Sequence, residues 1–332
     1  MLRRVPLALT VLMASSGWAQ LVISAHSGVI QYVEGQVTLD GKTVAPKFAE
    51  FPDVKPDQTL AAEDGRAEIL LTPGVFLRLA ENSSFRMISA KLDNTRVEVL
   101  SGSAIVEVGE LLQNNAITVK FHSAEIALLK KGLYRVDSAD PASLRVYEGE
   151  ARVTSGSDTL IARRAHEVAL GTVLEARSFD TKQTDAFYRW SARRDEYVAQ
   201  ANITSAKTAS ESGFTSGGYG SSVYGNTPGS WAWNPWYGMF TYVPGNGMFM
   251  SPFGSAFYSP FTVGSFYGPA YGYYGGYVSP NSYVAPSTAF RPVTTSTTAL
   301  ATRAPVMSSG IGSGGLAGGG SMHSVSRAGG HR

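Results

Sequence analysis

Between about Ser27 and Ala176 the apolar residues of this chain fall in short runs at every second position. Ala67, Ile69 and Leu71 alternate with polar neighbours; Thr72-Pro73-Gly74 interrupts them, and Val75, Leu77 and Leu79 take the alternation up again. Phe85 with Met87, Val97 with Val99, and Ala104 with Val106 extend the series. Past Gln113-Asn114-Asn115 it resumes at Ile117, Val119 and Phe121. It then runs through Ile126, Leu128, Leu133, Val136, Leu144, Val146, Val153, Leu160 and Val168 to Leu170. Period two is the mark of a strand with one buried face. Asp40-Gly41 and Asp64-Gly65 have the composition of two-residue hairpin turns. Short strands punctuated every ~8–12 residues predict an all-β fold: a sandwich, a roll or a short β-solenoid. No helical pattern lies between the strands, which argues against a parallel α/β sheet.

One short word occurs three times: Tyr32 to Leu39, Val99 to Val106, and Val146 to Val153. Each has apolar residues, a small polar step, a Gly, and then renewed alternation. A Gly inside such a run marks a bulge, a bend or a close backbone approach. Gly35, Gly102 and Gly149 are therefore predicted to be structural glycines at corners of the β fold.

After the strands the period changes. Phe187, Trp190, Arg194, Tyr197 and Ala201 share one face at helical spacing, and Asp180-x-x-Gln183 resembles a capping box. This predicts one amphipathic helix over residues 180–205, lying on a β domain that spans 27–176. Beyond Gly213 the chain is rich in Gly, Tyr, Phe, Ser and Pro. Segment 214–290 is expected to be largely irregular, and the Ser/Thr/Gly-rich residues 291–332 to be disordered. One hairpin is predicted within it, Met239 to Val243 against Met248 to Met250 around Pro244-Gly245-Asn246-Gly247. Trp190, Trp231, Trp233, Trp236 and Tyr237 are the candidate docking or interaction aromatics, with docking expected from Trp231 to about Phe253. Because every strongly periodic segment precedes Gly213, the fragment Gln20 to Ser212 is expected to fold alone.

Charge sharpens the same boundary. Gln20 to Gly213 holds 22 Lys/Arg and 26 Asp/Glu, whereas the 119 residues from Phe214 onward hold four Arg and no Lys, Asp or Glu. Arg3 and Arg4, the apolar run Val5 to Ala14 and Gly17-Trp18-Ala19 form an export signal over residues 1–19. No segment has the ~20 apolar residues of a membrane span. With no Cys in the chain, disulfides, thiolate metal sites and Cys nucleophiles are excluded.

Candidate chemistry is thin. Gly41-Lys42-Thr43 has Gln36 where a phosphate-binding loop needs Gly, and Gly310 to Gly315 lacks the strand that a dinucleotide fingerprint follows. The five His residues have no metal-ligand spacing, and no Gly-x-Ser-x-Gly surrounds any Ser. Acidic residues stand singly along the strands, as on solvated faces. Neither catalytic residues, metal ligands nor a cofactor site are predicted. Four Arg among so many aromatics is too small an electrostatic footprint for nucleic acid.

The order of these pieces resembles the FecR domain, named after the bacterial ferric-citrate regulator. The resemblance rests on Gly28-Val29-Ile30 through Val33-Glu34-Gly35-Gln36-Val37, Asp64-Gly65-Arg66-Ala67-Glu68-Ile69 and Val75-Phe76-Leu77-Arg78-Leu79 with Asn82-Ser83-Ser84-Phe85. It continues through Val97-Glu98-Val99-Leu100-Ser101-Gly102, Gly132-Leu133-Tyr134-Arg135-Val136 and Val146-Tyr147-Glu148-Gly149-Glu150-Ala151, covering about Ser27 to Gly171. It implies a periplasmic, regulatory β domain without enzymatic residues. The cytoplasmic sigma-handling segment and membrane helix of the transmembrane regulators are expected to have no counterpart here. The expectation is an exported, non-enzymatic binding, sensing or scaffolding module, in the periplasm or at the cell surface. Its partner would be an envelope protein or glycan, with self-association through the tail. The alternatives are a structural or adhesive matrix protein and, third, an enzyme acting on envelope glycans.

Overall fold

The structure, a computed structural model, describes residues 27–45, 50–111, 115–171, 173–215 and 229–267. The export signal expected over residues 1–19 and the segment 291–332 expected to be disordered lie outside those residues.

The alternating runs become fifteen strands of one sheet. In chain order they are β1 (Val29–Leu39), β2 (Lys42–Thr43), β3 (Thr59–Leu70), β4 (Val75–Leu79), β5 (Ser83–Lys91), β6 (Asn94–Ser101) and β7 (Ser103–Val108). There follow β8 (Ala116–Phe121), β9 (Ala124–Leu128), β10 (Gly132–Asp137), β11 (Ser143–Glu148), β12 (Glu150–Ser155), β13 (Asp158–Arg163), β14 (His166–Leu170) and β15 (Leu174–Ser178). The long strand β3 divides them. Its first part, 59–62, pairs with β5 and leads through β6, β8, β9 and β12 to β13. Its second part, 67–70, pairs with β4 and leads through β7, β10, β11 and β14 to β15. All pairs are antiparallel except β6 with β8. The two halves share one core, in which Leu60, Phe85, Val97 and Val119 of the first meet Ile69, Leu77, Val106 and Val146 of the second. The sheet nearly closes, since β13 comes against β14 and β15.

The repeated word sits where the chain passes from one half to the other. Gly35 lies inside β1 (φ 69°), directly opposite Gly65 of β3; Gly102 (φ 71°) separates β6 from β7, and Gly149 (φ 96°) separates β11 from β12. A Cβ on Gly35 would lie 2.1 Å from the Asp64 carbonyl oxygen, one on Gly102 2.1 Å from Ser83 Oγ, and one on Gly149 2.2 Å from the Tyr134 hydroxyl. Gly156 (φ 58°), in contrast, has open space around it. Gly35→Val is therefore expected to lower stability by about 3 kcal/mol, combining backbone strain with a steric clash. Gly156→Ala should cost only about 1 kcal/mol. Thermal melts compare the two, and equal effects would remove the corner from the explanation.

One of the two predicted turns changes. Asp40-Gly41 does form the turn between β1 and β2. Asp64-Gly65 is not a turn but the bend of β3, because β1 runs beside both parts of β3 and holds the strand continuous. The long helix α1 (Ala186–Thr215) starts later and ends later than the capping pattern suggested. Asp180 closes a preceding turn through the Lys182 amide, and Asp185 is the cap, accepting from the Tyr188 amide at 2.8 Å.

The aromatic segment contains regular structure as well. β16 (Ser230–Asn234) pairs with β17 (Met239–Val243), and β18 (Met248–Met250) pairs with β19 (Ala256–Tyr258), before a short helix α2 (Pro260–Tyr267). The predicted pairing of Met239–Val243 with Met248–Met250 does not form. Asn234 makes the competing turn: its Oδ1 accepts from the Trp236 and Tyr237 amides, and Gly238 takes φ 60°.

Candidate functional site

Alternation along the second half of the sheet gives it an outer face: Glu68 and Leu70 of β3, Phe76 and Arg78 of β4, Ile105 and Glu107 of β7, Leu133 and Arg135 of β10, and Tyr147 of β11. These residues are buried, because α1 and the aromatic segment cover them. Phe187 and Trp190 of α1 pack on Ile105, Leu133 and Tyr147. Val198 and Ala201 join Trp231, Phe240, Tyr242 and Phe257 over Leu70 and Phe76. Aromatic edges meet faces through the layer, with Phe76 to Trp231 at 5.1 Å and Phe51 to Phe240 at 5.1 Å. Asn202 pins the cover down: its Nδ2 donates to the Tyr242 and Tyr258 carbonyls, and its Oδ1 accepts from the Tyr258 amide. Asn202 is thus fully enclosed.

Enclosed in the same layer is a cluster of charges. Arg78 donates from Nε to Glu68 at 2.8 Å and from Nη1 to Glu107 at 2.6 Å. Arg194 of α1 donates from Nη2 to the other Glu68 oxygen at 2.8 Å, which also accepts from Gln31 Nε2. Gln31 in turn accepts from the Phe240 amide of β17. Asp195, next on the helix, accepts from Ser251 Oγ at 2.7 Å. Sheet, helix and aromatic cover are therefore joined by one hydrogen-bonded network. Burial alone would raise the Glu68 carboxyl, but the charges of Arg194 and Arg78 hold it at about 2. Burial and the charge of Asp195 push Glu107 well above the usual carboxylate range, with Arg78 only partly offsetting them. Arg78 stays firmly cationic: burial opposes its charge, and Glu107 and Glu68 outweigh that. Two cations against three carboxyl groups balance when Glu107 keeps its proton. Asp195 Oδ1 is buried without a hydrogen-bond partner among the described residues. The solvated face expected for acidic residues is found on the first half of the sheet, where Arg86–Glu98 and Arg96–Glu125 pair at the surface, and at the far edge of the second, where Arg145 pairs with Glu167.

Residues 57–152, from the turn before β3 to the middle of β12, match the family described as FecR protein. The chain carries a FecR domain. Two crystal structures, both provisionally described as an anti-sigma factor from Parabacteroides distasonis, are similar to it. The first shares 14% identity at TM-score 0.34, covering 41% of this chain and 64% of that one. The second shares 15% identity at TM-score 0.34, covering 46% and 72%. No curated protein matches the chain. The buried cluster straddles the edge of the FecR domain: Glu68, Arg78 and Glu107 lie inside the matched residues, Arg194, Asp195 and Ser251 outside them.

The predicted aromatics separate by position. Trp190 and Trp231 are buried in the cover, Trp233 and Tyr237 are half-buried against it, and Trp236 is 81% exposed at the tip of the β16–β17 turn. Trp190 donates from its indole Nε1 to Glu34 at 2.9 Å. His122 is exposed and stacks on Phe121, and His166 bonds its own loop through Nδ1 to the Arg164 carbonyl. Among the described residues no group of His, Asp or Glu is arranged to hold a metal, and no helix is long and apolar enough to cross a membrane. The candidate site is accordingly the rim of the cover, where Tyr32, Glu34 and Arg66 from the bends of β1 and β3 meet Trp190, Arg194 and Tyr197 of α1 in an open cleft.

Proposed function

We propose that this chain is an exported, non-enzymatic module that uses its FecR domain to bind a component of the bacterial envelope for sensing or scaffolding. The observation that carries the reading is the cover. The carboxyl groups of the cluster are sealed beneath α1 and the aromatic segment, so Glu107 and Asp195 have no opening to a substrate. A glycan-cleaving pair would need both carboxyl groups on the walls of an accessible cleft. What reaches solvent around the cover is a set of Tyr, Trp and Arg side chains, the types that carry recognition. The export signal at the N-terminus and the regulatory role of the FecR family support an envelope setting. Exposed Trp236, Phe261 and Phe266 favour a second reading, in which the aromatic segment assembles copies of the chain.

Affinity capture from envelope extracts tests the first reading against the second. A chain carrying Phe261→Ser and Phe266→Ser, both at exposed positions, should keep its partner if the covered FecR domain is the binding part. Loss of capture together with loss of self-assembly, relative to the full chain, would transfer the function to the tail.

A further inference from the structure

We propose that the cleft at the rim of the cover, between Tyr32, Arg66, Arg193, Arg194 and Tyr197, binds a carboxylate-bearing sugar within an acidic polysaccharide. The cleft has a volume of about 460 Å³, within the range of small-ligand sites. Its floor is a cation sandwiched by rings: the Arg194 guanidinium lies 4.1 Å from the Tyr32 ring centre and 5.7 Å from that of Tyr197. Arg194 spends Nη2 on Glu68, and its Nε is enclosed without a partner; Nη1 makes no hydrogen bond among the described residues. Arg193, on the wall, is exposed and makes no ion pair or hydrogen bond among the described residues. Both guanidinium groups line the cleft and offer N–H donors for a charge-assisted contact with a carboxylate.

The rings continue as a track. Tyr197 meets Tyr237 edge to face at 5.3 Å, and Trp236 stands exposed beside Tyr237. Sugar rings present flat C–H faces that settle on aromatic faces while their hydroxyl groups stay wet, so a track of exposed rings suits successive units of a sugar chain. Glu34, fixed by the Trp190 indole and lying 3.7 Å from Arg66, offers a carboxylate to accept from sugar hydroxyls. A protein partner would instead require a deep, desolvated pocket for an anchoring side chain. A nucleic acid would require a longer row of unpaired cations than Arg193 and Arg194 supply.

The ligand class rests on the binding-module reading above. Its test is titration of the chain with oligogalacturonate and with a neutral oligosaccharide of equal length, read by calorimetry and by intrinsic tryptophan fluorescence. The acidic oligomer should bind about tenfold tighter or better. Arg193→Gln and Tyr197→Ala, both at exposed positions, should each weaken it about tenfold with the melting temperature unchanged. Equal binding of the neutral oligomer, no binding of either, or indifference to both substitutions would overturn the proposal. So would tighter binding of a single-stranded oligonucleotide or an acidic peptide. If the double variant still captures its envelope partner, the cleft is the wrong site and the module reading stands.

Discussion

Glu68→Gln is expected to destabilise the folded chain by about 3–5 kcal/mol at neutral pH, the cost of leaving buried cations without their counter-charge. Both guanidinium groups that converge on Glu68 lose their shared carboxylate, and the Gln side chain can accept at only one atom. Glu107→Gln, on the same face and equally enclosed, is expected to behave in the opposite way. The raised Glu107 carboxyl favours the protonated form, whose charge Gln reproduces. The pH dependence separates the two. The folded carboxyl of Glu107 sits above its unfolded value, so its contribution is complete below about pH 4.5 and is lost as the pH rises through the folded value. Glu68 runs the other way: its contribution is present above about pH 4.5 and is lost as the pH falls towards 2. Thermal melts from acidic to alkaline pH should show Glu107→Gln overtaking the native chain on the alkaline side, where the native protein declines. A Glu107→Gln chain as unstable as Glu68→Gln at every pH would mean that Glu107 is ionised and the charge balance is drawn wrongly.

A chain ending after Thr215 is expected not to fold cooperatively, whereas one ending after Tyr267 is. This reverses the expectation drawn from periodicity alone. Trp231, Met239, Phe240, Tyr242 and Phe257 are each enclosed against the sheet or α1. At about 1.5–3 kcal/mol per large side chain, their loss removes roughly 10 kcal/mol, comparable with the whole stability of an ordinary domain. Arg78 would also lose the ring of Phe253 above it, and Asp195 its Ser251 partner. Denaturant titration followed by circular dichroism and by tryptophan emission gives the outcome. A sharp, coincident transition in the shorter chain would show that the cover is an ornament on a self-sufficient domain.

The parts legible in the sequence are those governed by local pattern. Period-two alternation locates the strands because each one has a face in the shared core, and the repeated Gly marks the crossings because only Gly fits the contacts at 35, 102 and 149. The state of the outer face was not legible. Arg86 with Glu98 and Arg78 with Glu68 are the same cross-strand chemistry in the same alternating register. Whether a helix lies over them depends on tertiary topology that no local window contains. A faint signal existed: the run Val75-Phe76-Leu77-Arg78-Leu79 is almost wholly apolar, as a strand buried on both faces should be. The Asn234 turn was hidden for a related reason, since Pro244-Gly245-Asn246-Gly247 has the stronger turn composition and Asn234 won by side-chain hydrogen bonding.

The adjacency of Arg194 and Asp195 on α1 has a mechanical consequence. Consecutive helical residues point about 100° apart, so the two side chains leave the helix in different directions. One is bonded to the sheet through Glu68 and the other to the aromatic cover through Ser251. Together they set the angular position of the helix: rolling it about its axis breaks one bond or the other, and sliding it by a single residue breaks both. A helix keyed in this way is a poor piston. Any message carried by this protein would be written by what occupies its surface, with the interior held still to present that surface.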